Sequence, residues 1–247
     1  RSRTGLDLPY VQRQLIKELH KTGTPVILVL LNGRPLTINW ADANLPAIVE
    51  AWNPGIMSGK AIADVIFGEY NPSGKLPITF PKTVGQIPLN FPYKPGSHDP
   101  QSQWQGYESE RGTRVEGELY PFGHGLSYTQ FNYENINITP DSTHSQGIIR
   151  VECDITNTGD RQGSEVVQLY LRDEYSSVTT YAQKLRGFER VSLEPGQTQS
   201  VSFTLDPGDL ELFNNNEEWV VEPGTFSVML GSSSKDLRIT GQFEILD

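Results

Sequence analysis

Three observations predict a chain of two folded units, an α/β unit followed by an all-β unit. Helical spacing and a short apolar run occur before residue 118, whereas apolar and polar residues alternate after residue 131. The 247 residues are enough for two domains of ordinary size, and 36% of them are apolar, which suffices for two cores. We therefore assign 1–118 to the α/β unit, 119–131 to a joint and 132–247 to the all-β unit.

The first elements alternate between helix and strand. Asp7 and Pro9 are typical of a helix start, and apolar residues in 11–19 fall on one face until Gly23 ends the helix. The apolar run 26–31 predicts a parallel strand that is covered on both faces. The remaining predicted elements are helices over 45–52 and 59–67 and a short strand over 77–80. This alternation is typical of a mostly parallel sheet with helices, as in part of an α/β sandwich.

The stretch from 87 to 118 has no periodic pattern. It combines several prolines with several aromatic side chains and fits neither a helix nor a strand. Irregular segments of about thirty residues in compact domains are commonly functional or mobile. We therefore expect the irregular loop 87–118 to contact a ligand.

Beyond residue 131, apolar residues recur at every second position. Four such runs lie at 149–155, 167–171, 201–205 and 226–230, with turn residues at 157–160, 194–196 and 214–216. Half-buried antiparallel strands, about seven in number, predict an immunoglobulin-like or fibronectin type III-like β-sandwich. Cys153 lies in the first run, and we interpret it as a small core residue.

Charge and residue types exclude several classes of function. The net charge of −10 disfavours nucleic acid as a partner, because phosphate binding needs clustered Lys and Arg. No apolar run approaches the roughly 20 residues of a membrane helix, so no membrane span is predicted. One cysteine and four scattered histidines give no metal-ligand pattern, and we expect neither a metal nor a cofactor. His124 is interpreted as a structural residue, hydrogen-bonded within the joint.

Motifs along nearly the whole chain resemble those of one enzyme family. The joint contains PFGHGLSYTQF, and GLDLPYVQRQLIKEL, AIADVIFGEYNPSGKLPITFP and TVGQIPLNF precede it. The stretches VECDITNTGDRQGSEVVQLYLRD, KLRGFERVSLEPGQTQSVSFTL and VEPGTFSVMLGSSS follow it. These motifs, in this order, resemble glycoside hydrolase family 3 of the β-glucosidase and β-xylosidase type. The resemblance implies the second half of the family's α/β sandwich domain, followed by its fibronectin type III-like domain.

The resemblance also implies an activity for the parent protein. It indicates the carboxyl-terminal fragment of a retaining, exo-acting β-glycosidase, foremost a β-glucosidase that hydrolyses terminal β-D-glucosyl residues of oligosaccharides. A β-xylosidase of the same family and a non-catalytic carbohydrate- or protein-binding module stay open. Retaining hydrolysis needs two carboxyl groups about 5–5.5 Å apart. The resemblance places the nucleophilic Asp on a preceding (β/α)8 barrel and the acid/base Glu just upstream of Arg1, so this chain alone is expected to be inactive.

Within the chain, candidate site residues concentrate in the irregular loop. Some family members carry a Glu after the AxWxPG motif, but Met57 and Ser58 occupy that place here. The remaining carboxylates are weak catalytic candidates: Glu108, Glu110, Glu116 and Glu118. Sugar contacts are expected instead from Trp104 and Tyr107, by stacking on a pyranose ring, and from Arg111 and Arg114, by donating to hydroxyl groups.

The expected partners follow from the same resemblance. They are a β-linked oligosaccharide and the amino-terminal (β/α)8 barrel part of the same enzyme, and a homodimer stays open. Because the sequence starts inside a recognisable domain, we expect a proteolytic product or one chain of a nicked enzyme. The family resemblance implies a periplasmic or secreted location, which nothing in the chain itself specifies.

Overall fold

The computed structural model describes residues 4–95, 115 and 117–247. These residues form two compact units that interleave along the chain. The first unit holds 4–70, 78–90, 115 and 117–121, and the second holds 71–77, 91–95 and 122–247. An α/β part followed by an all-β part is thus confirmed, whereas the domain boundaries drawn from the sequence stay a prediction.

The first unit is a small α/β layer. Its elements are α1 (Tyr10–Lys21), β1 (Ile27–Leu30), α2 (Asn39–Asn44), β2 (Ala47–Glu50), α3 (Ser58–Ile66) and a 3-10 helix (Val84–Gln86). Strands β1 and β2 pair in parallel, with Ile27 opposite Ala47 and Leu30 opposite Glu50. The buried core is made of Leu30, Leu36, Ile38, Ala41 and Leu45. Among the described helices, none is long and apolar enough to cross a membrane.

Several details predicted for the first unit are wrong. The segment predicted as a helix over 45–52 contains β2, because a short apolar run fits either period and β1 pairs with it along its length. Among the described residues, strand β1 is not covered on both faces along its length, since only Leu30 is buried and Ile27 is 45% exposed. Pro9 rather than Asp7 precedes α1, and the predicted strand over 77–80 is a single bridge from Phe80.

The second unit is a β-sandwich. Its elements are β3 (Phe131–Thr139), β4 (Ser142–His144), β5 (Ile149–Asn157), β6 (Gly163–Asp173), β7 (Lys184–Leu193), β8 (Thr198–Leu205), α4 (Pro207–Leu210), β9 (Leu212–Phe213), β10 (Trp219–Val220), β11 (Gly224–Gly231) and β12 (Leu237–Leu246). One sheet has the order β4-β12-β11-β6-β7 and the other β3-β5-β8, while β9 and β10 form a separate hairpin. Apolar residues that alternate along these strands share one buried core.

The core of the sandwich explains two sequence features. Strand β5 buries every second residue from Ile149 to Asn157, as the alternating pattern predicts. Cys153 lies in this series, is 1% exposed, and has a thiol pKa that burial raises to about 12. A thiol in this environment stays protonated at neutral pH, so the interpretation of Cys153 as a core residue holds.

In the second unit, the latter part of the joint packs against 71–77. Gly123 donates to the carbonyl of Leu76, and Leu76 donates to the carbonyl of His124, both at 2.8 Å. Gly123 has a φ of 80°, which favours glycine. A Cβ atom on Gly125 would lie 2.1 Å from the carbonyl oxygen of Gly74. The two backbones therefore approach more closely than side chains would allow, and His124 takes part in this contact through its backbone.

Candidate functional site

Polar side chains gather where the two parallel strands of the first unit end. Strand β2 ends at Glu50, opposite Leu30 at the end of β1, and the amide of Ala51 donates to the carbonyl of Leu30 at 3.0 Å. Asn32 follows β1 by two residues. Carboxyl ends of parallel strands are the usual place for a ligand in α/β sheets. We call Asn32, Glu50 and Trp52 the strand-end cluster.

Glu50 connects the two loops that follow the strands. Its Oε1 accepts a hydrogen bond from the backbone amide of Trp52 at 2.9 Å, and its Oε2 accepts one from Asn32 Nδ2 at 3.3 Å. Desolvation by burial raises the pKa of Glu50, and these two hydrogen bonds oppose the rise. An ionised carboxylate has about four acceptor positions. Glu50 therefore keeps acceptor capacity beyond the two bonds that hold the loops.

Asn32 carries a buried acceptor without a protein donor. Its Nδ2 donates to the carbonyl of Arg34 at 2.8 Å as well as to Glu50, which fixes the orientation of the amide. Its Oδ1 is buried, and no residue in the described part of the chain donates to it. Leaving a buried acceptor unpaired costs about 1–3 kcal/mol. A hydroxyl group or a water molecule that donates to Oδ1 would remove this cost.

Trp52 is held by aromatic packing and has an unusual backbone. Its φ of 51° lies in the left-handed region, which is uncommon for a large side chain. The indole meets Phe80 edge to face at 5.9 Å, and Phe80 packs against Tyr120 at 5.8 Å. The Tyr120 hydroxyl donates to Asp42 at 2.5 Å, and burial raises the pKa of Tyr120. Strain of this kind persists only where surrounding contacts fix it, and it is concentrated at functional sites.

The strand-end cluster therefore has the chemistry of a hydroxyl-binding site. Glu50 is only partly buried and keeps acceptor capacity, whereas Asn32 Oδ1 is enclosed, and the hydrogen bonds between them fix both loops before any ligand arrives. Such preorganised acceptors, next to an aromatic ring, suit a neutral polyhydroxylated ligand. In the described ranges, no group of three His, Cys, Asp or Glu side chains is placed to hold a metal ion.

The site residues predicted from the sequence are not tested by this geometry. Trp104, Tyr107, Arg111 and Arg114 lie outside the described residues, as do Glu108, Glu110 and Glu116. Glu118 is described and partly buried. The sequence interpretation missed Glu50 because it placed this residue in a helix. A strand assignment for β2 would have placed Glu50 at a carboxyl edge, where sheet topology predicts ligands.

The folded units and the strand-end cluster define the class of protein: an α/β unit with polar groups at its carboxyl strand edge, joined to a fibronectin-type β-sandwich. The sequence model of the glycosyl hydrolase family 3 C-terminal domain matches residues 1–128, and that of the fibronectin type III-like domain matches 165–234. The chain belongs to glycosyl hydrolase family 3. The resemblance found in its motifs is thereby confirmed.

Individual relatives agree with this assignment. The chain is 45% identical to a β-xylosidase from Formosa agariphila over 94% of its length, and 42% identical to a periplasmic β-glucosidase from Salmonella typhimurium over 99%. It covers 31% and 32% of these two relatives. The chain therefore spans about a third of the length of the curated relatives it matches.

Solved structures give the same result. A β-glucosidase from Erythrobacter marinus superimposes with a TM-score of 0.89 at 38% identity, covering 99% of this chain and 31% of its own. A β-glucosidase from Listeria innocua in complex with glucose gives a TM-score of 0.90 at 34% identity, covering 100% of this chain and 34% of its own. The fold of both units is thus that of the corresponding third of family 3 β-glucosidases.

Proposed function

We propose that this chain is the carboxyl-terminal part of a retaining, exo-acting β-glycosidase, and specifically of a β-glucosidase that releases terminal β-D-glucosyl units from oligosaccharides. The observation that carries the proposal is the similarity of nearly the whole chain to enzymes of one glycosidase family. The strand-end cluster supports it, because the partly buried carboxylate of Glu50 keeps acceptor capacity that suits a hydroxyl group. β-Xylosidase activity is a second candidate, which the 45% identity to the Formosa agariphila protein favours.

The chemistry would be divided between this chain and a preceding part of the enzyme. In a retaining mechanism, one carboxylate attacks the anomeric carbon and a second carboxyl group protonates the leaving oxygen. On the basis of the family resemblance, both groups are proposed to lie in the part that precedes Arg1, with the nucleophile on a (β/α)8 barrel. Trp104, Tyr107, Arg111 and Arg114 remain proposed sugar contacts on the basis of their residue types.

We assign a positioning role to the strand-end cluster. Glu50 ties the loop after β1 to the loop after β2, and Asn32 Oδ1 is oriented by the same bonds. Together they would hold the carboxyl edge of the sheet in one shape when a sugar hydroxyl donates to it. Because a ligand bound by fixed groups pays less ordering entropy, loss of Glu50 should weaken substrate binding more than it slows chemistry.

Activity on chromogenic substrates tests the proposal. The protein encoded by the complete gene and the 247-residue chain are assayed on p-nitrophenyl β-D-glucoside and β-D-xyloside. We expect the complete protein to hydrolyse the glucoside faster than the xyloside, and the 247-residue chain to hydrolyse neither. Faster hydrolysis of the xyloside would favour the second candidate. Absence of both activities in the complete protein would leave the binding-module interpretation, and strong turnover by the chain alone would contradict the placement of both carboxyl groups.

Matched variants of the complete protein test the positioning role. Glu50→Gln should raise KM several-fold with a smaller change in kcat, because one of the two loop-fixing acceptors becomes a donor. Glu69→Gln, at an exposed position after α3, is the control and should leave both constants unchanged. A fall in kcat with unchanged KM would refute the role assigned to Glu50.

A further inference from the structure

The hairpin of β9 and β10 presents two aromatic rings to solvent. Phe213 and Trp219 are directly opposite each other in its register, with ring centroids 5.4 Å apart. Phe213 is 48% exposed and Trp219 is 67% exposed. On the neighbouring register position, Leu212 is buried at 5% exposure.

Hydrogen bonds that do not involve the Trp219 side chain close the turn of the hairpin. Asn214 closes its turn: the side-chain Oδ1 accepts hydrogen bonds from the amides of Asn216 and Glu218, at 2.9 and 3.1 Å. The backbone amide of Asn214 also donates to the carbonyl of Glu218 at 2.9 Å. A cross-strand aromatic pair adds stability to a hairpin. That role does not require an indole with two thirds of its surface in water.

A third exposed aromatic side chain lies on the loop after β6. Tyr175 follows β6 and is 84% exposed. Its loop is tied to the segment after β10, because the amide of Ser177 donates to Glu222 Oε2 at 2.8 Å and its hydroxyl donates to Oε1 at 2.5 Å. We call Phe213 and Trp219 the aromatic platform, with Tyr175 as a candidate third ring.

The size of the platform argues against a protein partner. An aromatic side chain has about 150–250 Å² of surface, so exposures of 48 and 67% for the two paired rings leave roughly 230 Å² in water. A stable protein interface buries about 800 Å² on each partner. A polysaccharide chain needs less, since each pyranose ring covers one aromatic face.

The polar surroundings favour a neutral, hydroxyl-rich ligand. The turn between Phe213 and Trp219 reads Asn-Asn-Asn-Glu-Glu, and the whole chain carries a net charge of −10. Carboxylates repel anionic polymers, whereas amides and carboxylates both accept hydrogen bonds from hydroxyl groups. A shallow cleft, lined by Asp173, Tyr181 and Leu212 among others, borders the hairpin and adds further polar groups.

We propose that the aromatic platform binds a β-linked glucan chain by stacking of glucosyl rings on Trp219 and its neighbours. The apolar face of an all-equatorial glucosyl ring, extended by its C6 methylene, matches a flat indole. This site would hold the polymer on the β-sandwich. The choice of glucan rests on the proposed β-glucosidase activity, whereas the binding itself is measured without turnover, so either proposal can fail alone.

Native affinity electrophoresis of the 247-residue chain provides the test. Gels contain soluble mixed-linkage β-glucan, xylan, dextran or no polymer. We expect β-glucan to retard the wild-type chain, with weaker retardation by xylan and none by dextran. Trp219→Ala should raise the apparent Kd about tenfold and Tyr175→Ala about threefold, in line with the cost of truncating aromatic anchors.

Phe188→Ala is the matched control, because Phe188 is 69% exposed on β7 of the same unit but outside the platform. It should leave retardation unchanged. Thermal unfolding of each variant checks the hairpin, and Tyr175→Ala tests the platform without touching the Phe213–Trp219 pair. The proposal is overturned if β-glucan does not retard the wild-type chain, or if the Trp219→Ala and Phe188→Ala chains are retarded equally. It is also overturned if xylan retards the wild-type chain more than β-glucan does, or if the chain forms a dimer that depends on Trp219 in the absence of polymer.

Discussion

Replacement of Gly125 by alanine tests the close backbone contact in the second unit. The added Cβ would lie 2.1 Å from the carbonyl oxygen of Gly74 and 3.1 Å from Lys75 Cδ. Backbone must therefore move, and overpacking of this kind costs typically about 1–3 kcal/mol.

The movement also reaches a buried ion pair. Lys75 Nζ lies 3.0 Å from Glu165 Oε1, with side chains 12% and 8% exposed, and it donates to the carbonyl of Gly125 at 3.1 Å. Breaking a buried pair outright costs about 3–5 kcal/mol, so partial loss added to overpacking gives about 2–4 kcal/mol. At about 2–4 °C per kcal/mol for a unit of this size, Tm should fall by about 4–16 °C.

Thermal unfolding followed by circular dichroism measures this effect. Gly74→Ala is the control, because a Cβ on Gly74 meets no atom within 4 Å although the residue belongs to the same contact. Gly125→Ala should also be cleaved faster by protease near residue 120, since the joint opens more often. Equal Tm values for the Gly125→Ala and Gly74→Ala chains would refute the reasoning.

Three further predictions concern titratable groups. Burial raises the pKa of Glu50 above its ordinary value of 4.5, so the contribution of Glu50 to stability falls as pH rises from 4.5 through the raised pKa. The difference in Tm between the wild type and Glu50→Gln should therefore fall over this pH window, and a constant difference would contradict the prediction. Hydrogen bonds from Arg238, at 2.9 and 2.7 Å, lower the pKa of Asp236 below 3.8. After allowance for solvent screening, Asp236→Asn should lower the free energy of unfolding by about 1 kcal/mol at pH 7, and by progressively less as pH falls below 3.8. Cys153 is 1% exposed with a pKa raised to about 12, so Ellman's reagent should label it only after unfolding in denaturant; rapid labelling of the folded chain at pH 8 would show that the core is open.

The β-sandwich was the part of the fold most open to prediction from sequence. Strand β5 buries one face, and apolar residues alternate in β5, β6, β8 and β11, with turn residues between the strands. The expectation that all these strands are half-buried is wrong for β6 and β11, because nearly every residue of β6 and the last six residues of β11 are buried, on both faces. Strand β2 was not predictable in the same way. Four residues, Ala47–Glu50, are too few to distinguish a period of two from one of 3.6, and only pairing with β1 selects the strand.

The strand-end cluster was hidden for the same reason. Glu50 in a predicted helix carries no sign of function, whereas Glu50 at the end of a parallel strand does. The role of Asn32 depends on a buried atom without a donor, which is a property of three-dimensional packing alone. The aromatic platform is similar: Trp219 reads as one more apolar residue until its 67% exposure is known.

The interleaving of the two units limits how this β-sandwich can be moved between proteins. A polypeptide that begins at residue 132 would lack Lys75, the counter-charge of buried Glu165, and Ser73, whose hydroxyl accepts from Arg190 at 3.1 Å. A carboxylate without its cation in such a place is strongly destabilising. The β-sandwich therefore cannot be transferred as residues 132–247 alone. Gene fusions and domain swaps would have to include residues 71–77, which lie within the sequence of the preceding α/β unit.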